Sequence, residues 1–327
     1  MTALVLENDV LRVTVDPLVG GAITAIRHKA LGASVLGAVP WTPKPGPAAT
    51  IAAPDEGHWL PYYTGGWPLL FPNGGDACTF DGISHGFHGE ASLAAWEVLW
   101  DRGTLILQHR FATVPVEMER RLSLDGDVLA IGETVRMQGA EPVRVMWGQH
   151  PTFGTDLLAG PFEIAAGARR VVVDDRFDPP ANPIRPGTSG AWPIVPGKSG
   201  PFDLSRPDGK IAAMAYLLDF RSPWAAIRRT DTGLAAVLSW DAGVFPYAWL
   251  WIELGGTDDA PWDGRARLIG LEPNTTWPGN GLADTARRGA ELMQLRPGDL
   301  RRSAVRLHIL QAPGPISGID PTGRAVS

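Results

Sequence analysis

The sequence predicts an all-β fold, a large antiparallel β-sandwich. Three observations carry that expectation. Apolar and polar residues alternate in segment after segment, Gly and Pro turn signals separate those segments, and almost no stretch is free enough of both to form a long helix. Leu11-Arg12-Val13-Thr14-Val15 alternates, as do Leu105-Ile106-Leu107-Gln108-His109-Arg110-Phe111, Val143-Arg144-Val145 and Val305-Arg306-Leu307-His308-Ile309. A period of two places apolar side chains on one face of a strand and polar ones on the other, as in a strand with one face in a core.

Turn chemistry supports the same reading. Asp125-Gly126 divides residues 121–124 from 128–131 and predicts a hairpin. Asp81-Gly82, Asp208-Gly209, Thr232-Gly233 and Pro297-Gly298 punctuate the chain in the same way. With 39 Gly and 30 Pro in the chain, residues 283–295 are the best helical candidate, and Gly289 weakens even that one. Residues 40–63 and 177–201 are proline-rich and read as long ordered loops, which in a compact domain are commonly functional. Alternation resumes on both sides of each, so neither reads as a linker, and residues 1–327 are expected to form one domain. A chain of 327 residues can bury a core large enough to fold without disulfides or a structural metal.

The formal net charge of −6 lacks the basic excess that nucleic-acid binding requires. Glu7, Asp9, Arg12 and Asp16 interrupt the N-terminal segment, which therefore does not read as a secretory signal. No segment approaches the roughly 20 consecutive apolar residues of a membrane span. Cys78 is the only cysteine and can form no internal bridge, which fits a reducing compartment. The expectation is a soluble cytoplasmic protein, monomer or homodimer, with neither nucleic acid nor membrane as partner. The aromatic balance is unusual, with 13 Trp against 4 Tyr. An indole offers a broad apolar face and one N–H donor, which suits the C–H faces of a sugar ring and a large β core alike.

Seven histidines narrow the search for chemistry. His28, His109 and His308 sit in polar or alternating segments and read as strand or surface residues. Ser84-His85-Gly86-Phe87-His88-Gly89-Glu90 places two imidazoles among glycines, which let backbone approach a ligand closely. His85, His88 and Glu90 could in principle ligate a metal, but no second cluster with matching spacing follows, so no metal is expected. His150 follows the end of the strand Val143 to Met146, between Gln149 and Pro151. Glu272 ends the apolar run Leu268-Ile269-Gly270-Leu271 and precedes Pro273, a position where desolvation raises a carboxyl pKa and suits it to act as a base.

These segments, in order, resemble the aldose 1-epimerase (galactose mutarotase-like) family along most of the chain. Leu11–Val15 followed by Gly20-Gly21-Ala22-Ile23 is similar to that family's first strands and turn. Gly65-Gly66-Trp67-Pro68-Leu69-Leu70-Phe71-Pro72-Asn73 resembles its "GG-x-P-x-x-FP-N" segment, and His85-Gly86-Phe87 its "HGF" histidine. Gln149-His150-Pro151-Thr152-Phe153, Leu271-Glu272-Pro273-Asn274-Thr275 and Leu295-Arg296-Pro297-Gly298-Asp299 complete the set. Gly74-Gly75-Asp76 stands where many relatives place an arginine, and the Trp-rich stretch from Trp59 to Trp67 points to a pocket tuned to an unusual sugar.

The resemblance implies a galactose mutarotase-like supersandwich and a cofactor-independent isomerase that interconverts the α and β anomers of a free aldose or aldose derivative. It implies Glu272 as base and His150 as acid on the ring oxygen. His85, His88, Asn73, Trp67, Glu90 and Trp251 are expected around the sugar. One carboxylate and one imidazole suffice for ring opening and closure, and the chain carries no nucleotide fingerprint. A bell-shaped pH profile is expected, its acid limb reporting the carboxylate. Two alternatives stay open: a non-catalytic carbohydrate-binding protein on the same scaffold, and another sugar epimerase or glycoside-active enzyme, for which Glu90, Asp241 and Glu253 are available second acids.

Overall fold

The alternating segments become two eight-stranded antiparallel sheets that share one core. The computed structural model describes residues 3–326. The first sheet runs, in spatial order, Phe162–Ala166, Trp224–Arg229, Leu234–Trp240, Leu300–Gln311, Val128–Met137, Val116–Asp125, Thr104–Arg110 and Glu97–Asp101. The second runs Ser189–Ala191, Arg170–Val173, Ile211–Leu218, Tyr247–Leu254, Arg267–Asn274, Gly148–Gln149 and Leu69–Leu70, with Thr152–Phe153 also paired to Arg267–Asn274. A four-stranded sheet of Leu4–Glu7, Leu11–Asp16, Ala22–His28 and Ala33–Ser34 is tied to Trp67 through Ile23.

Turn signals sit where hairpins close. The ladder between Val116–Asp125 and Val128–Met137 ends at Asp125 opposite Val128, leaving Gly126 and Asp127 as a two-residue loop. Asp81 and Gly82, both at positive φ, join Cys78–Phe80 to Ile83–His85 in the geometry that two-residue hairpins favour.

The period of two divides core from site. On Tyr247–Leu254, Ala248, Leu250, Ile252 and Leu254 enter the core between the sheets, as Ile269 and Leu271 do from Arg267–Asn274. Each such Leu or Ile contributes about 1.5–3 kcal/mol by leaving water. Tyr247, Trp249, Trp251, Gly270, Glu272 and Asn274 alternate with them and face the other way. Inside the core, Arg120 and Glu133 form a fully buried pair at 2.8 Å. Glu133 also accepts from Trp147 Nε1 and Gln149 Nε2, and Gln149 Oε1 accepts from Trp67 Nε1. This polar network joins the two sheets beside His150.

Two sequence expectations need correction. The helix expected at residues 283–295 is only Leu282–Arg287. Gly289, at φ +75°, ends it in a Schellman motif, with Gly289 N–H donating to Ala286 O and Ala290 N–H to Thr285 O. Met293–Leu295 then pairs with Val143–Val145 as a strand. Residues 177–201 are not wholly irregular, since Ser189–Ala191 joins the second sheet and Ile194–Gly197 pairs with Gly200–Asp203. Residues 40–63 remain mostly loop, closing on the short helix Glu56–Trp59 and the 3-10 turn Leu60–Tyr62. Among the described residues no helix is long and apolar enough to cross a membrane.

Candidate active site

Strand register explains why Glu272 and His150 meet. Gly148 pairs with Asn274 and Thr152 with Gly270, so position 150 falls opposite position 272 on the neighbouring strand. Both side chains point to the face away from the core, and His150 Nε2 lies 3.7 Å from Glu272 Oε1. Glu272 is 2% exposed and His150 6%. Burial pushes the Glu272 carboxyl well above the usual carboxylate range. Burial also pulls His150 down to about 4.

A hydroxyl chain stands behind the imidazole. Tyr63 Oη and Thr152 Oγ1 are 2.7 Å apart, and Thr152 Oγ1 is 3.2 Å from His150 Nδ1. Burial pushes the Tyr63 phenol up, so it stays protonated and can donate to Thr152, leaving the Thr152 hydroxyl to donate to Nδ1. In that arrangement neutral His150 carries its proton on Nε2, facing Glu272. If His150 exchanges a proton with a ligand, Tyr63→Phe is expected to slow that exchange by roughly two- to tenfold, the net worth of one hydrogen bond. A rate measurement beside a thermal melt checks this, and an unchanged rate would leave the hydroxyl chain without a catalytic role.

The pair opens into a cavity of about 200 Å³ whose walls are largely aromatic: Trp59, Tyr63, Phe87, Trp249, Trp251 and Trp262. Trp59 stacks on Tyr63 at 4.6 Å between ring centres and meets the edge of His88 at 4.7 Å. His88, in the left-handed region at φ +58°, points into the cavity 5.2 Å from the His150 ring. Its Nδ1 accepts from Gly75 N–H at 3.0 Å, which leaves Nε2–H free for a ligand. Burial, then the neighbouring His150, holds His88 well below the usual imidazole range. At the far end Asp174, Tyr216 and Asn280 supply polar groups. No lysine or arginine is among the residues lining this cavity.

The structure therefore brings together Glu272, His150, His88 and Trp251. Four other sequence candidates do not reach the cavity, and each has a visible structural task. His85 ends a hairpin strand opposite Cys78, is buried, and its Nδ1 has no partner. Asn73 donates to Asp76 O and Gly86 O and accepts from Leu282 N–H, clamping three loops. Glu90 accepts from the backbone N–H of Ala112 and Thr113 and contacts His109 at 3.0 Å. Trp67 lies in the core against Gln149. His85, His88 and Glu90 consequently share no site, and among the described residues no three His, Cys, Asp or Glu side chains group as a metal site would need.

Gly74-Gly75 is also explained. A Cβ on Gly74 would stand 3.0 Å from the Trp249 ring and one on Gly75 only 1.8 Å from Gly279 O, so the loop fills the place where an arginine would begin. Trp249, Asp174, Tyr216 and Asn280 were not picked out by sequence reading. Trp249 had a usable signal, its spacing of two from Trp251 on one strand. The other three come from separate segments and carried none.

The fold is a large antiparallel β-sandwich of the galactose mutarotase-like type, with an aromatic-walled cavity on the outer face of one sheet. No protein-family model matches the chain, and no curated protein matches it in sequence. Solved structures do match in fold. The Slr1438 protein of Synechocystis sp. PCC 6803 is similar at 21% identity with a TM-score of 0.66, covering 95% of this chain and 96% of that one. A galactose mutarotase related enzyme from Lactobacillus acidophilus gives 16% identity and a TM-score of 0.60 over 95% and 98% of the two chains. The GalM/aldose epimerase homologue from C. elegans gives 13% and 0.63 over 95% and 99%.

Proposed function

We propose that this protein is an aldose 1-epimerase, interconverting the anomers of an uncharged aldose without a cofactor. The observation that carries the proposal is Glu272: a buried carboxyl, shifted by burial alone, 3.7 Å from an imidazole on the floor of an indole-walled cavity. Burying a carboxyl without a protein partner costs stability, so its retention points to a ligand that completes it. Anionic sugars fit poorly, since the carboxyl groups of Glu56, Asp76, Asp174 and Glu272 border the cavity, no lysine or arginine lines it, and the nearby Arg176 is already paired with Asp76 at 2.9 Å.

The reaction needs one proton removed and one supplied. Glu272 takes the proton of the anomeric hydroxyl, the C1–O1 bond becomes a carbonyl, and C1–O5 breaks as O5 takes the proton from His150 Nε2. Rotation about C1–C2 presents the other face of the aldehyde. On closure O5–H returns its proton to His150 while O1 recovers one from Glu272. The working pair is carboxylate and imidazolium, and their mutual attraction at close range opposes the burial that favours neutral forms. Tyr63 and Thr152 hydroxyls rotate, so the chain donates to Nδ1 when His150 is neutral and accepts from it when charged. His88 Nε2–H and the indole faces hold the ring.

The test is polarimetry of freshly dissolved single anomers across a panel of neutral, amino and phosphorylated aldoses. Acceleration of at least one uncharged aldose supports the reading, and none across the panel would end it. The pH dependence is a second check. The pair works holding one proton. A second proton adds as pH falls through about 4, where His150 titrates, and silences the base. The last proton leaves as pH rises through the raised Glu272 value and silences the acid. The expected bell thus has an imidazole acid limb near 4 and a carboxyl alkaline limb, reversing the order expected from sequence. An acid limb near 6.5 would contradict this assignment.

A further inference from the structure

The segment that carries His150 lacks ladder bonds on the side that faces Glu272. Register sets Pro273 opposite Gln149 and Pro151 opposite Leu271. A proline has no N–H to donate, so the two rungs that flank the pair each lose a bond. Leu271 N–H still donates to Pro151 O at 3.2 Å. On its other side the segment pairs only with the two-residue strand Leu69–Leu70, and His150 N–H donates to Pro68 O at 3.1 Å.

Side chains in the core supply the missing hold. Alternation sends Gly148 and His150 to the site face and turns Trp147 and Gln149, both fully buried, toward the core. Gln149 is gripped at both ends of its amide: Nε2 donates to Glu133 Oε2 at 2.7 Å, and Oε1 accepts from Trp67 Nε1 at 3.0 Å. These partners fix which way the amide points, since a carboxylate only accepts and an indole N–H only donates. Trp147 Nε1 donates to the same Glu133 oxygen at 3.0 Å. Glu133 belongs to the opposite sheet, where Arg120 Nε donates to it at 2.8 Å and Arg120 Nη1 donates to Gly21 O at 3.2 Å. Arg120 Nη2 finds no hydrogen-bond partner among the described residues. Taking both charges out of water is costly, so such a pair stabilises a fold little better than packed apolar side chains of the same volume. What it provides here is a fixed place for Gln149, one residue from the imidazole.

We propose that Gln149 is a positioning residue for His150, holding that segment against Glu272 where prolines have removed the ladder's own bonds, a role that rests on the epimerase reading for the step it serves. Gln149 lies outside the cavity lining, so it acts only through its neighbour.

Gln149→Met keeps the side-chain volume and removes both grips. Assayed by polarimetry below its melting temperature, it should lose roughly 10–10²-fold in kcat, the cost of a displacement approaching 1 Å. KM should stay within about twofold, because the indole walls come from other segments. Trp67→Phe removes one grip, should lose less, and keeps the comparison open should Gln149→Met fold poorly. NMR of histidine-labelled protein, with His150 assigned through His150→Gln, gives a readout that needs no substrate. Burial pulls His150 down to about 4, and an imidazole freed to move toward water should titrate closer to the ordinary value of about 6.5. The midpoint should therefore rise in both variants. A lower melting temperature with kcat and the His150 midpoint unchanged would make the network structural only and overturn the proposal, as would KM rising as far as kcat falls. If the wild-type protein accelerates no aldose, the epimerase reading fails, and the His150 midpoint alone then decides whether Gln149 sets the imidazole.

Discussion

Glu272→Gln is expected to lower the anomerisation rate by roughly 10²–10⁴-fold, the range that a positioned acid or base contributes. The fold should survive, and thermal stability should hold or rise. Burial already disfavours the charged form of this carboxyl, and the neutral amide has nearly the same shape. Stability gained on removing a group is the mark of one kept for activity. Sugar binding should persist, because the indoles of Trp59, Trp249 and Trp251 and the Nε2–H of His88 are untouched, and tryptophan fluorescence can follow it. A near-normal polarimetric rate would take Glu272 out of the mechanism. Lost binding together with a lowered melting temperature would mean that the carboxyl is structural.

The strands were legible because a period of two survives in sequence. Leu11–Asp16, Thr104–Arg110 and Leu300–Gln311 form where alternation places them. The Asp125-Gly126 hairpin was legible because few residues tolerate its turn. The site was legible in part. Glu272 and His150 each end an apolar run beside a proline, but their meeting is a matter of register between distant strands, which local pattern does not encode. His85 and His88 could not be told apart from composition, since only the left-handed turn at His88 decides which imidazole faces the cavity. Asn73, Trp67 and Glu90 sit in ligand-like motifs yet spend their polar atoms on neighbouring loops and strands. Asp174, Tyr216 and Asn280 become one network only after three segments fold together.

Gly270→Ala should lower kcat on the order of 10²-fold, although Gly270 is not a group that can react. The residue lies two positions before Glu272, on the same face of the same strand, and the carboxylate folds back over it. A Cβ built on Gly270 would stand 2.2 Å from Glu272 Oε1 and 3.2 Å from Cδ, and the next nearest atom is Trp251 Cβ at 3.3 Å. The strand backbone there accepts any residue, since Gly270 is absent from the positive-φ positions. The atom that must yield is the end of a flexible side chain, so the variant should fold while its carboxylate swings away from His150. A displacement near 1 Å can cost about 10²-fold in rate. KM should change little, because the cavity walls stay in place, and the alkaline limb of the pH profile should move with the carboxyl. Combining Gly270→Ala with Glu272→Gln separates positioning from damage elsewhere. If the glycine acts only by seating the carboxylate, the double variant should be no slower than Glu272→Gln alone. Additive losses would show that the methyl harms the site by some other route.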